Sequence, residues 1–224
     1  VLPVLAAADD WVVVAKPSGL AVHRSPELND PTYVVQEARR QFGRYVWPVH
    51  RLDRPTSGCL LLAFSAEAVE PLAASLAAGR KRYLAMVRGC AAIGPPVVIE
   101  TPMKDSFGVL RAARTTARCL AATPDPRASL VLAEPHTGRF HQVRRHLRDL
   151  SHPVLGDGVH GDSRVNRWWR EARGLSRLGL HCAALDLELP NGEPLRARCP
   201  VPDDLAAVWS ALPGWLDAAG AVDP

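Results

Sequence analysis

The sequence predicts an α+β fold, a mixed, largely antiparallel sheet with helices packed against it, and three observations carry that expectation. Short apolar runs rich in β-branched residues recur, and one of them, Cys59-Leu60-Leu61-Leu62-Ala63-Phe64, is apolar on both faces, as a central strand must be. Pro190-Asn191-Gly192-Glu193 joins two further runs through an Asn-Gly pair, a strong hairpin signal. Residues 140–150 instead keep helical period, with Phe140, Val143, Leu147 and Leu150 on one stripe.

In order, residues 11–15 read as a buried strand closed by the turn Lys16-Pro17-Ser18-Gly19. Asp30-Pro31 caps a helix through Gln41, with Gly43 just past its end. Strands over 46–49 and 58–64 flank a loop that holds Asp53. Ser65, Glu67 and Gly79 frame a second helix, and a strand follows over 81–87. Further strands are expected over 115–122, 129–134, 180–189 and 194–199. On the helix over 140–150, His141, Arg145 and Arg148 face away from the apolar stripe, while Arg144 and His146 sit at its margins. Neither a repeat nor a composition break divides the chain, so one domain over 1–224 is expected.

Composition sets outer bounds. The 224 residues are 47% hydrophobic and 22% charged, those of an ordinary globular protein, and the formal charge of +4 suits an acidic partner such as nucleic acid. Lys16, Lys81 and Lys104 are the only lysines, so arginine carries nearly all positive charge; a proteome-wide arginine bias explains this as well as phosphate binding does. Five widely spaced cysteines lie among apolar residues without a C-x-x-C pair, which reads as core thiols in a reducing cytoplasm. No signal peptide or apolar run of bilayer length stands out, so no membrane association is expected.

The chemistry concentrates in two segments. His50-Arg51-Leu52-Asp53-Arg54-Pro55-Thr56-Ser57-Gly58 places one carboxylate between two arginines in a rigid turn, suited to nucleophilic or base chemistry, though a turn-capping Asp with surface arginines reads equally well. In Glu134-Pro135-His136-Thr137-Gly138-Arg139-Phe140-His141-Gln142-Val143-Arg144-Arg145-His146, Arg144 at the edge of a buried stripe needs an anionic partner, and Asp53 is the candidate. The cations around it would form a basic face. His136, His141 and His146 lie five apart, which suits no metal helix, so no metal is expected. His23, His152 and His160 read as loop hydrogen-bonders and His181 as a core residue. Tyr83 could stack on a base or belong to the core, and Trp168-Trp169 among Arg164, Arg167, Arg170 and Arg173 fits a single-stranded RNA surface or a packed helix equally.

These residues resemble the RluA-type pseudouridine synthases. The resemblance rests on His50-Arg51-Leu52-Asp53 with Thr56-Ser57-Gly58, on Lys81-x-Tyr83, and on Thr137-Gly138-Arg139-x-His141-Gln142-Val143-Arg144-x-His146. Lys16-Pro17-Ser18-Gly19 upstream and His152-Pro153-x-x-Gly156-Asp157 downstream match as well. It implies the pseudouridine synthase catalytic fold with a cleft across the sheet, and an isomerase that detaches uracil at N1, rotates it and rejoins it through C5, without cofactor or metal. Asp53 would be the catalytic aspartate, Tyr83 the ring against the uracil, and Arg144 the partner of Asp53. Arg51 would fill the space of the flipped nucleotide, and Leu180 would floor the base pocket. Arg54, Arg139, His141, Arg145 and Arg167 would hold RNA. The chain begins close to its first strand, so no S4 domain is expected.

The run Gly156-Asp157-Gly158-Val159-His160-Gly161-Asp162-x-Arg164-x-Asn166-Arg167, with Val22-His23-Arg24-Ser25, looks most like the subgroup acting on uridine 65 of transfer RNA. A 23S ribosomal RNA substrate is the alternative, as is a non-catalytic RNA-binding or RNA-folding protein. A hydrolase ranks lower, because such enzymes usually pair two carboxylates about the scissile bond. A cytoplasmic monomer is expected.

Overall fold

The computed structural model describes residues 1–24 and 32–220, so the helix cap expected at Asp30-Pro31 and the subgroup residue Ser25 lie outside the described residues. Strands β1 (Val4–Ala7) and β2 (Trp11–Lys16) lead to helix α1 (Val34–Phe42), and β3 (Trp47–Pro48) and β4 (Ser57–Ala63) precede α2 (Val69–Ala78). Then come β5 (Arg80–Arg88), β6 (Val97–Ile99), β7 (Met103–Lys104), β8 (Leu110–Arg111), β9 (Thr115–Pro124) and β10 (Arg127–Pro135). Helices α3 (Gln142–Asp149) and α4 (Ser163–Arg173), the hairpin strands β11 (Leu180–Glu188) and β12 (Pro194–Arg198), and helices α5 (Asp203–Ser210) and α6 (Trp215–Gly220) complete it. The fold is α+β, mostly antiparallel, as its sequence predicts. The chain forms two compact units, Val1–Lys81 with Cys182–Pro200, and Arg82–His181 with Val201–Pro224.

In the first unit the strand order is β1-β2-β4-β11, with β3 on β4 and β12 on β11. β2 pairs antiparallel with β4 from Trp11↔Ala63 to Lys16↔Gly58. Every residue of β4 is buried, which explains its apolar character on both faces. Leu60, Leu61 and Leu62 there, with Val12, Val13 and Val14 of β2, are fully excluded from solvent and form the core. Gly43 ends α1 in the left-handed conformation, and the Asn191-Gly192 turn closes β11 on β12, both where the sequence puts them. The edge strand β1 is half exposed and bulged between Val4 and Ala6, which leaves little apolar signature to read.

The second unit runs β5-β10-β9-β6, all antiparallel. Its core draws on Leu84 and Met86 of β5, Leu130 of β10 and Leu147 of α3, and on Trp209 and Trp215 of α5 and α6, two helices the sequence analysis does not identify. Four cysteines are buried as expected. Cys90 is the correction: it sits exposed after β5, where the chain has already left the sheet. Among the described residues no helix is long and apolar enough to cross a membrane.

Candidate active site

Asp53 lies half-buried on a turn in which the Thr56 N–H donates to the Asp53 carbonyl at 2.9 Å. The turn is fastened to the Lys16-Pro17-Ser18-Gly19 segment. Lys16, 1% exposed, donates from Nζ to the carbonyls of Pro17 (2.8 Å), Leu20 (2.7 Å) and Arg54 (3.1 Å). The Gly19 N–H also donates to the Arg54 carbonyl, at 2.9 Å, and Ser18 Oγ donates to the Pro55 carbonyl at 2.7 Å. A buried ammonium is tolerable only with its protons engaged, and here one of the three contacts ties the segment after Lys16 to the backbone just after the carboxylate.

The turn is equally fixed at its ends. Gly58 has φ +121°, and a Cβ there would stand 2.2 Å from the Cys182 carbonyl oxygen, so only glycine fits where β11 presses on β4. The Leu61 N–H donates to His50 Nε2 at 3.0 Å. Burial, and then the charge of Lys81, lower the His50 imidazole to about 4, so it is neutral with its proton on Nδ1. Arg51 and Arg54 on either side of Asp53 are exposed.

In the second unit, Tyr83 of β5 is 8% exposed and stands opposite Ala133 of β10, while its neighbour Arg82 pairs with Glu134 at 3.5 Å. Leu180 is buried, and its carbonyl accepts from Arg177 Nη2 at 3.1 Å. Arg144 donates from Nε and Nη2 to the two carboxylate oxygens of Asp157, both at 2.7 Å, and both side chains are almost wholly buried. Burial would push the Asp157 carboxyl up, but hydrogen bonds from Arg144 and from the His160 and Val159 N–H groups outweigh it and hold the group at about 2. Arg144 thus has a fixed anionic partner that the sequence analysis did not assign.

Helix α3 departs from its expected face. His141 takes a left-handed conformation, φ 53°, and the helix starts one residue later. Phe140 and Leu150, expected on the apolar stripe, are exposed because they flank the helix, and the Phe140 ring stacks on His141 with centroids 3.7 Å apart. Gln142, Arg144 and His146 are buried beside Val143 and Leu147. Gln142 Nε2 donates to Thr115 Oγ1 at 3.0 Å, and Thr115 Oγ1 meets His146 Nδ1 at 2.8 Å, while His146 Nε2 lies 3.0 Å from the Thr101 carbonyl. Gln142 Oε1 accepts from Thr137 Oγ1 (2.7 Å) and the Arg139 N–H (3.0 Å), so the polar face binds the preceding loop to β9.

Of the residues expected to hold RNA, His141 is brought to the Arg144 cluster, since its Nδ1 lies 2.9 Å from Nε2 of His160, whose N–H donates to Asp157. Arg139 donates from Nε to the Ala112 carbonyl at 2.9 Å, Arg145 is half-buried on α3, and Arg167 is exposed on the separate helix α4. Among the described residues no group of three or more His, Cys, Asp or Glu is arranged to hold a metal ion. Sequence reasoning missed the roles of Lys16, His50, Gln142 and Asp157. A lysine closing an otherwise apolar strand is the one signal that marked Lys16 in advance.

A family model described as RNA pseudouridylate synthase matches residues 10–149. The tRNA pseudouridine synthase C of Salmonella typhi is 42% identical over 210 residues, covering 84% of this chain and 81% of that protein. That of Vibrio cholerae is 35% identical over 238 residues, covering 94% and 95%. Among solved structures, human RNA pseudouridylate synthase domain containing 1 superposes with a TM-score of 0.74 at 25% identity, over 93% of this chain and 87% of that one.

Proposed function

We propose a function on one premise: this chain belongs to the RNA pseudouridylate synthase family. It is an isomerase that converts uridine to pseudouridine in RNA, and its substrate is transfer RNA, as the names of its bacterial relatives indicate for them. Uridine 65, in the acceptor stem, is the position we assign, on the residues of the 156–167 run and the Val22-His23-Arg24 segment. The protein works as a cytoplasmic monomer without metal or cofactor.

In this reading Asp53 is the catalytic carboxylate, acting either as nucleophile at C1′ or as base toward the C2′ proton. Both roles need an ionised acid held still beside a base drawn out of its stack. The observation that carries the assignment is the pinned turn: a solvated turn-capping Asp has no need of a buried ammonium and a hydroxyl clamping the two carbonyls that follow it. Tyr83 is the ring that packs on the uracil, Leu180 the apolar floor, and Arg144 the cation of the catalytic set. Arg51 takes the space of the flipped nucleotide, and Arg54, Arg139, His141, Arg145 and Arg167 meet the RNA backbone.

Carbodiimide mapping of unmodified transfer RNA and ribosomal RNA incubated with the protein tests the reading. A single new stop at uridine 65 of transfer RNA is expected; modification of ribosomal RNA alone would replace the substrate, and no pseudouridine in either would remove the activity.

A further inference from the structure

A cavity of about 680 Å³ opens in the second unit beside the ends of β5 and β10, closed on its other side by α4 and the turn after α3. Its lining includes Arg88, Arg127, His152, Trp168 and Trp169, and no carboxylate. The two tryptophans differ in their surroundings. Trp169 is 2% exposed and serves the core, whereas Trp168, adjacent in sequence and edge-on to it at 5.3 Å between centroids, is 45% exposed. The Arg173 guanidinium stands 5.9 Å from the centroid of the Trp168 ring, yet nearly half of this large apolar side chain remains open to a partner at the cavity mouth.

The charges point to the partner. Among the described residues the Arg127 guanidinium has no hydrogen-bond or ion-pair partner, and Arg88 makes only a long 3.5 Å contact with Asp162, both side chains being about half exposed. His152 Nδ1 donates to the Arg88 carbonyl at 2.9 Å, which leaves Nε2 as the ring's second polar atom. Ser151, also in the lining, takes φ 64° as the residue that ends α3, with its N–H on the Arg148 carbonyl and that of His152 on the Leu147 carbonyl, which fixes this wall of the cavity. An aromatic platform, the Arg127 guanidinium, the Arg88 guanidinium held only at 3.5 Å by Asp162, and an imidazole form a receptor for a nucleobase with its phosphate.

We propose that this cavity is a subsite for an unstacked nucleotide of the RNA substrate, its base on the Trp168 indole and its phosphate on Arg88 and Arg127. The inference rests on the reading of the protein as an RNA enzyme, but it concerns residues that take no part in the assigned chemistry.

The test measures the affinity of an unmodified transfer RNA transcript across a potassium chloride series, with pseudouridine formation assayed in parallel. Trp168→Ala weakens binding about tenfold and Trp168→Phe, which keeps a ring, restores most of it. Arg127→Ala reduces the slope of log affinity against log salt by about one, whereas Arg40→Ala, an equal loss of charge on α1, does not. Wild-type affinity in Trp168→Ala, a Phe variant as weak as the Ala variant, or equal slopes for the two arginine variants would overturn the subsite, whatever the isomerisation assay shows. If the expected binding losses occur but the wild-type protein forms no pseudouridine, the subsite stands and the enzymatic reading falls.

Discussion

Arg144 and Asp157 form a two-pronged pair, 13 residues apart in sequence, in which both carboxylate oxygens receive an N–H at 2.7 Å out of contact with solvent. In so dry a setting the pair orients the guanidinium as no hydrated contact could, because each ion has already lost its water. Gly156 lets the chain turn tightly before the acid: its φ is +77°, and a Cβ would meet the Arg177 carbonyl oxygen at 2.0 Å.

Asp157→Ala should lower unfolding stability by about 3 kcal/mol, read from urea denaturation at neutral pH. The same pair sets an acid dependence. The Asp157 carboxyl is lowered from 3.8 to about 2, so its stabilising effect is complete above pH 4 and fades as pH falls toward 2. The stability gap between wild type and Asp157→Asn should therefore narrow across that window, and a gap of constant size would contradict the assignment.

His50 governs a milder range. Its folded value of about 4 lies below the ordinary 6.5, so the unfolded chain takes up a proton first, and the stability His50 contributes is complete above pH 6.5 and lost as pH falls toward 4. Protonation would also cost the acceptor that receives the Leu61 N–H. Between pH 7 and 5 the wild-type protein should lose more stability than His50→Gln; NMR titration of the His50 ring with a midpoint near 6.5 would refute the shift.

Lys16 acts as a positioning residue in this account. Lys16→Met should cost about 1–3 kcal/mol, since buried carbonyls lose a charged donor. It should also lower turnover more than RNA affinity, because the Arg54 carbonyl next to Asp53 is released. Turnover equal to wild type, at a temperature where circular dichroism shows the variant folded, would mean that the clamp is structural only.

Much of this architecture is legible in the sequence because burial on both faces leaves a strong mark. The boundaries of β4 and β11 fall within a residue of those read from the apolar runs, and the Asn191-Gly192 turn announces its hairpin. Half-exposed elements leave weaker marks, as in β1, and α5 and α6 bury two tryptophans without a clear stripe. The polar face of α3 was misread for a related reason: Gln142 and His146 are buried through hydrogen bonds, which hydrophobic period cannot register. At the site, the sequence singles out Asp53, Tyr83 and Arg144 by motif and can argue that Arg144 needs an anion. It cannot show that Asp157, across a loop with no periodic relation to α3, supplies one.

The most direct measurement is single-turnover pseudouridine formation on transfer RNA by Asp53→Asn, with RNA affinity determined on the same preparation. The account predicts no product above background and an affinity close to wild type, since the substitution removes the charge but keeps the shape of a turn held by backbone carbonyls. Product formed at the wild-type rate would contradict it.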